Sequence, residues 1–385
     1  MEDWKEYKLE DISKSIFAGG DASKFSCKKY KTDTYSIPIY ANAIENDGLY
    51  GYTNTAIVHE PAVTIAARGA GTGNVIYRDK PFTPIVRLIS IIPNNNVNPL
   101  FLACALQLKN LSGDGSAIPQ LTVPEVKKML IKLPSLNTQN RIANFIEKLN
   151  QKIALNRRIN RNLEQQTQAL FKAWFVDFEP FKDGKFVDSE LGMIPKGWKV
   201  GNLSDIANIT MGQSPDGKSY NECGDGMIFY QGRAEFGYRF PYVRLYTTQP
   251  KKIAEPLSIL LSVRAPVGDI NIAYYKCCIG RGLAAIQCTN KCQSFLFYLI
   301  QSLKPIFNQY NGEGTVFGSI SKEALSNIKI VIPKIEVINR FESIAKNIDR
   351  LILQYFLQIK NLESLRDTLL PRLMSGEVNI NTITE

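Results

Sequence analysis

The sequence repeats itself once, at a period of nearly two hundred residues, and this repeat limits the possible fold more than any other feature. Trp4-Lys5, Leu9, Asp11 and Ile12 return 194 positions later as Trp198-Lys199, Leu203, Asp205 and Ile206. Pro134, Asn140-Arg141, Asn162-Leu163-Glu164 and Leu170 return 199 positions later as Pro333, Asn339-Arg340, Asn361-Leu362-Glu363 and Leu369. Solenoid units run about 20–50 residues, so this period marks a duplicated module. The 385 residues have room for two domains of ordinary size.

Each copy reads as a globular part followed by a long helix. Residues 1–136 form the first globular part. Val/Ile/Tyr-rich strand signals lie at Ser36–Tyr40, Ala62–Ala67, Gly73–Tyr77 and Pro84–Ile92, with an Asn46-Asp47-Gly48 turn among them. Helical spacing marks Leu100–Leu108 and Val123–Leu130. The second part, residues 197–333, has strand signals at Ser258–Val263, Asp269–Tyr275 and Leu283–Cys288, and a helical run at Phe295–Leu303.

Residues 137–177 differ in kind. Ile142, Phe145, Leu149, Ile153, Asn156, Ile159, Leu163, Gln166 and Leu170 follow at steps of three or four, close to a coiled-coil seam. Asn137 is the expected N-cap. The second copy, within residues 334–385, repeats the seam with Phe341, Ile344, Ile348, Leu351, Tyr355, Ile359, Leu362, Leu365 and Leu369, and Pro371 and Gly376 are expected to end it. A helix of about 36–40 residues is roughly 55–60 Å long, and only the other copy offers a partner of matching length. Residues 178–196 carry Pro, Gly and charge without period and form a connector. The expected fold is α+β: two mixed α/β domains in a pseudo-two-fold repeat, separated by an antiparallel coiled coil of two long helices.

The net charge of +10 favours an acidic partner, and double-stranded DNA suits a ligand read at two places. Seven irregularly spaced cysteines and a single histidine, His59, give no structural metal site; buried free thiols are expected. No apolar run is long enough to span a membrane, and the N-terminus lacks a secretory pattern, so a cytoplasmic location is expected. There is no phosphate-cradling Gly-x-x-x-x-Gly-Lys-Ser/Thr loop, no Gly-x-Gly-x-x-Gly after a strand and no Asn-Pro-Pro-aromatic tetrapeptide. Gly69-Ala70-Gly71-Thr72-Gly73 sits between two strand signals and is expected to make a tight turn. The chain reads as a binder without catalytic residues or a cofactor of its own.

Both globular parts interleave cations with aromatic and amide side chains. The candidate DNA contacts are Lys24, Lys28, Lys29, Tyr30, Lys31 and Arg68 in the first, and Ser214, Lys218, Tyr220, Asn221, Gln231, Arg233 and Arg264 in the second. Lys and Arg suit phosphates, while Arg, Asn and Gln can pair two-pronged with guanine or adenine. Arg68 and Arg264 follow equivalent apolar strands. The aromatic end of the first helix holds Phe171, Trp174 and Phe175, too many large groups for one seam; most should pack and part should dock another subunit.

The junction Ala169-Leu170-Phe171-Lys172-Ala173-Trp174-Phe175-Val176-Asp177-Phe178-Glu179-Pro180, continued by Ser189-Glu190-Leu191-Gly192-Met193-Ile194-Pro195-Lys196-Gly197-Trp198, resembles the specificity subunit of type I restriction–modification systems. Gly115–Thr122, Ser262–Gly268 and Leu369–Glu377 support the resemblance. It implies two target-recognition domains, each reading half of a split DNA sequence, held apart by paired helices that set the gap. It also implies assembly with two methyltransferase subunits and up to two restriction subunits, which would hold S-adenosylmethionine, ATP and Mg. Half-sites about one to two duplex turns apart, at ~34 Å per turn, would match the helix length. The competing readings are a coiled-coil scaffold that binds proteins and a nuclease using carboxylates such as Asp205 or Asp269.

Overall fold

The structure is a computed structural model that describes residues 4–69, 71–109, 111, 120–264, 266–311 and 318–382. Gly115–Pro119, Ala265 and Ala70, named above, lie outside the described residues. The first copy contains β1 (Lys5–Lys8), β2 (Ser13–Ala18), β3 (Ile37–Tyr40), β4 (Leu49–Thr53), β5 (Ala62–Ile65), β6 (Val75–Arg78), β7 (Thr83–Pro84) and β8 (Ile89–Pro93). Helices α1 (Pro99–Gln107) and α2 (Val123–Lys127), strand β9 (Leu130–Leu133) and the long helix α3 (Leu136–Phe175) complete it. In the connector, β10 (Phe186–Val187) and β11 (Ile194–Pro195) pair antiparallel.

The second copy contains β12 (Lys199–Asn202), β13 (Ala207–Met211), β14 (Tyr220–Asn221), β15 (Met227–Tyr230), β16 (Leu245–Thr247), β17 (Ile253–Ala254), β18 (Ile259–Val263), β19 (Val267–Ile272), β20 (Cys277–Ile279) and β21 (Leu283–Cys288). Helices α4 (Gln293–Ser302), α5 (Lys304–Asn308) and α6 (Lys322–Ser326), strand β22 (Lys329–Ile332) and the long helix α7 (Ile335–Met374) follow.

The duplication is visible strand by strand. A four-stranded sheet β2-β8-β5-β6 in the first copy corresponds to β13-β21-β18-β19 in the second. The sheet β4-β3-β7 corresponds to β16-β15-β20, which gains β14 and β17 at its edges. The two-stranded pair β1-β9 corresponds to β12-β22, and both set lysine against an apolar residue in the same register, Lys5 opposite Leu133 and Lys199 opposite Ile332.

Two compact units result, residues 1–156 with 358–385, and residues 157–357. Each has its own core: Val63, Ile65, Ile91, Phe101 and Leu102 with Ile142 and Ile146 in the first, and Leu261, Val263, Phe295 and Leu296 with Phe171 and Phe341 in the second. Within each unit a half of α3 runs antiparallel to a half of α7. In the first, Asn156 Nδ2 donates to Gln358 Oε1 (3.2 Å) and Arg366 donates to Asn150 Oδ1 (2.9 Å). In the second, Asn160 Nδ2 donates to the Ile352 carbonyl (3.1 Å), and Phe171 meets Phe341 with ring centres 5.6 Å apart.

Several expectations are corrected. The cap of α3 is Ser135, whose Oγ accepts the Thr138 N–H (3.3 Å), because the chain leaves β9 two residues earlier than Asn137 requires. Proline does not end α7: Pro371 lies inside it, and the helix runs to Met374 before Gly376 takes a φ of 76°. The inward face of α3 follows the seam to Asn156, then turns to Asn160, Glu164 and Thr167, all buried, while Gln166 is exposed. Ile344, Leu351 and Leu365 are likewise exposed on α7. The helix expected over Val123–Leu130 stops at Lys127, because the Leu9 N–H bonds the Met129 carbonyl and draws Leu130 into a strand. The strand expected over Pro84–Ile92 breaks at Ile85–Leu88. Among the cysteines, Cys27 and Cys223 are exposed, whereas burial pushes the Cys277 thiol up to about 12. Among the described residues no helix is long and apolar enough to cross a membrane.

Candidate nucleic-acid interface

The same backbone knot closes one end of the four-stranded sheet in each module. In the first, the Gly19 N–H bonds Leu88 O (2.9 Å), Ile85 N–H bonds Tyr40 O (2.9 Å) and Leu121 N–H bonds Ala67 O (3.0 Å). In the second, Gly212 bonds Leu283 (2.8 Å), Gly280 bonds Tyr230 (2.8 Å) and Ile320 bonds Val263 (3.1 Å). These matched bonds put Arg68 and Arg264 at the same position, directly after the residue that accepts from Leu121 or Ile320. The knot needs glycine: a Cβ on Gly19 would lie 2.5 Å from the Pro84 carbonyl carbon, and one on Gly212 2.1 Å from the Gly280 oxygen.

In the first module an open cavity of about 390 Å³ is floored by Ala18, Gly19 and Ala67 and edged by Arg68, Arg87 and Gln120. Neither arginine has an acidic partner among the described residues, so the rim is electropositive. Nearby in sequence, Lys24, Lys28, Lys29, Tyr30 and Lys31 are exposed, Tyr30 to 74%. The Lys28 backbone exchanges two hydrogen bonds with Tyr52 (2.9 and 2.8 Å), and its ammonium lies 5.2 Å from the Tyr35 ring centre. Gly51 permits this seating, since a Cβ there would meet Lys28 O at 2.7 Å.

In the second module the candidates divide by what they already hold. Arg264 and Gln231 are exposed, and Lys218 is exposed beside the Asp216 side chain that caps its N–H (3.0 Å). Ser214 Oγ accepts the Arg281 N–H (3.2 Å), which fixes Arg281 at the knot. Asn221 is spent on its own loop, donating to Asp225 O (2.9 Å) and accepting the Asp225 N–H (3.0 Å). Tyr220 donates to Pro215 O (3.1 Å) and packs on Phe229. Arg233 Nε lies 3.2 Å from Asp269, a carboxylate that also holds Lys304 at 2.7 Å. Of the two carboxylates considered for a nuclease, Asp269 is ion-paired and Asp205 accepts the Asn202 N–H at 2.8 Å.

The sequence matches the type I restriction modification DNA specificity domain over residues 1–165 and again over 195–366. The chain belongs to the type I DNA-specificity family. A putative type I restriction enzyme MjaX specificity subunit of Methanocaldococcus jannaschii is 34% identical over 80% of this chain and 75% of its own length. The HindI specificity subunit of Haemophilus influenzae is 25% identical over 98% of this chain and all of its own. The crystal structure of a type I S subunit from M. genitalium shares the fold, with a TM-score of 0.66 at 16% identity over 97% of this chain and 96% of that one.

At the aromatic end of α3, Phe171 and Phe175 belong to the part that packs and not to the part that docks. Phe171 and Phe175 are 3% and 8% exposed, packed with Phe295, Phe341 and Trp198 in the core of the second unit, so they present no docking surface. Only Trp174 reaches partway out, with the Arg340 guanidinium 5.7 Å from its ring centre.

Sequence reasoning missed a buried charge cluster. Arg239, 3% exposed, binds Asp349 (2.5 Å) on α7, lies 3.7 Å from Glu164 on α3, and donates to Tyr298 Oη (3.2 Å) on α4. Burial works against its charge, but Asp349, Tyr298 and Glu164 outweigh that and hold its pKa above the usual arginine range. Glu342 on α7 caps α4, accepting from Phe295 N (2.9 Å) and Ser294 N (3.4 Å), and burial raises its pKa. Arg87, just before β8, and Arg281, just before β21, were not among the candidates either; Pro84–Ile92 reads as one unbroken strand, which hides the turn that carries Arg87.

Proposed function

We propose that this chain is the DNA-recognition subunit of a type I restriction–modification complex, each module reading one half of a bipartite target. Helices α3 and α7, which continue from one unit into the other, set the number of base pairs between the halves. Two methyltransferase subunits and up to two restriction subunits complete the assembly and carry S-adenosylmethionine, ATP and Mg; this chain contributes recognition without catalysis. The observation that carries the reading is the matched knot with an arginine at the same position in both modules, Arg68 and Arg264, neither holding an acidic partner among the described residues, in a chain of net charge +10. Duplicated scaffold with unlike exposed side chains is the arrangement that two different half-sequences require.

The test is co-expression with a type I methyltransferase subunit from the same genome, followed by mapping of methylated bases. One split motif with a fixed gap is expected, together with duplex affinity that falls steeply as salt rises. A complex whose assembly or activity ignores DNA sequence would instead favour the scaffold reading.

A further inference from the structure

The exposed turn between β7 and β8 carries an inference about which side chain reads sequence. The run from Pro84 to Ile92 is apolar enough to form one strand, yet the chain leaves it at Ile85 and rejoins at Ile89. Val86 and Arg87 take φ values of 53° and 62°, two consecutive residues in the left-handed region. For a β-branched residue this is a true outlier. The strain is not imposed by the shared scaffold, because the register-equivalent residues of the second module, Arg281 and Gly282, have no positive φ.

The turn is held in place by its surroundings. Val86 N–H bonds Gly20 O (2.8 Å), Arg87 N–H bonds Gly19 O (3.0 Å) and Leu88 N–H bonds Ile85 O (3.1 Å). Asn42 joins it to the sheet, donating Nδ2 to the Val86 carbonyl and accepting the Ala67 N–H at Oδ1 (2.9 Å). A strained conformation fixed at this many points presents a side chain in one defined direction, which is the circumstance in which strain signals function. What it presents is Val86, 50% exposed, and Arg87, exposed beside Arg68 and Gln120 on the cavity floored by Ala18, Gly19 and Ala67.

We propose that Arg87 reads a guanine in the first half-site, and that Arg281 takes this task one register position earlier in the second. This rests on the proposed recognition function. An arginine with no acidic partner among the described residues, set on a backbone fixed by hydrogen bonds, offers the rigid two-pronged donor that matches guanine O6 and N7. Arg68 and the lysines Lys24 to Lys31 then supply backbone neutralisation around it. The one-position offset between Arg87 and Arg281 gives the two modules different reading patterns on one scaffold.

The test uses the full chain co-assembled with its methyltransferase subunits, and compares the parent with R87A, R87K, R87G and R281A by methylation mapping and by duplex binding across salt concentrations. R87A and R87K should relax selection by about tenfold or more at one G·C pair of one half-site, with the other half unchanged, since lysine keeps the charge but lacks the fork. R281A should relax a position in the other half only. R87G, which relieves the left-handed strain, should melt no lower than the parent and show the same relaxed selection. R87K with parental selectivity, or R87A weakening all duplexes equally, would make Arg87 a phosphate contact and overturn the proposal. A lower melting temperature for R87G would remove the strain argument and overturn it too. If the parent complex itself shows no split motif, the fault lies in the recognition function and not in the choice of Arg87.

Discussion

Arg239 Nη2 lies 2.5 Å from Asp349 Oδ1, so a guanidinium from the second module is bound to a long helix inside the core of the second unit. With Glu164 at 3.7 Å on the other long helix, that one side chain ties the module to both. Breaking a buried pair by removing one partner leaves the other charge uncompensated, at a cost of about 3–5 kcal/mol. Arg239→Ala should therefore lower the melting temperature of the second unit markedly. An exposed pair such as Lys276–Glu255 is the control, and Lys276→Ala should shift stability by under about 1 kcal/mol. Differential scanning calorimetry of both variants checks this.

The knot glycines give a second prediction. Gly19→Ala and Gly212→Ala each push a methyl group into backbone that cannot yield, at 2.5 and 2.1 Å, and should each destabilise by about 1–3 kcal/mol. Gly20→Ala has nothing within 4 Å and should be close to neutral. Chemical denaturation of the three variants separates them.

These features also show how far the sequence could be read. Repeat spacing was enough for two modules and two long helices, because duplicated anchors such as Trp4 and Trp198 need no tertiary knowledge. The seam was legible only where it is apolar. Between Asn156 and Phe171 the buried residues are Asn160, Glu164 and Thr167, chosen by contacts such as Asn160 with the Ile352 carbonyl and Glu164 near Arg239. Hydrophobic periodicity is blind to polar groups satisfied by a partner distant in sequence. The rim was half legible for a similar reason. Arg68 follows a strand that repeats, whereas Arg87 stands on a turn whose sequence reads as strand and whose conformation is set by Asn42 and Gly19.

The polar stretch of the helix pair has a consequence of its own. Replacing both Asn156 and Asn160 with leucine removes two amides from buried positions and carries the apolar seam on toward Glu164. Stability should not fall, since buried polar groups in such seams commonly cost stability while fixing register. Register should become mixed, and size-exclusion chromatography with light scattering should resolve more than one species. A single monodisperse species would count against a register role.

Acid–base behaviour follows from Glu342. Its folded-state pKa is raised by burial, so the folded form binds a proton more tightly than the unfolded form does. The penalty of the buried charge is then fully present above the folded pKa and disappears as pH falls toward the ordinary carboxylate value of about 4.3. Glu342→Gln keeps an acceptor for Phe295 N–H but carries no charge. The parent should therefore gain stability relative to Glu342→Gln as pH drops from 8 to about 4.5, measured as the difference in melting temperature. A difference that moves the other way would contradict the assignment.

The proposed function requires two modules that read DNA independently. The most direct measurement exchanges residues 1–136 for the matching segment of a relative with a different target, then maps methylation by the assembled complex. One half of the split motif should change to that of the relative, while the other half and the gap between them stay as they were. If both halves change together, or the gap changes with them, the two modules do not read separately.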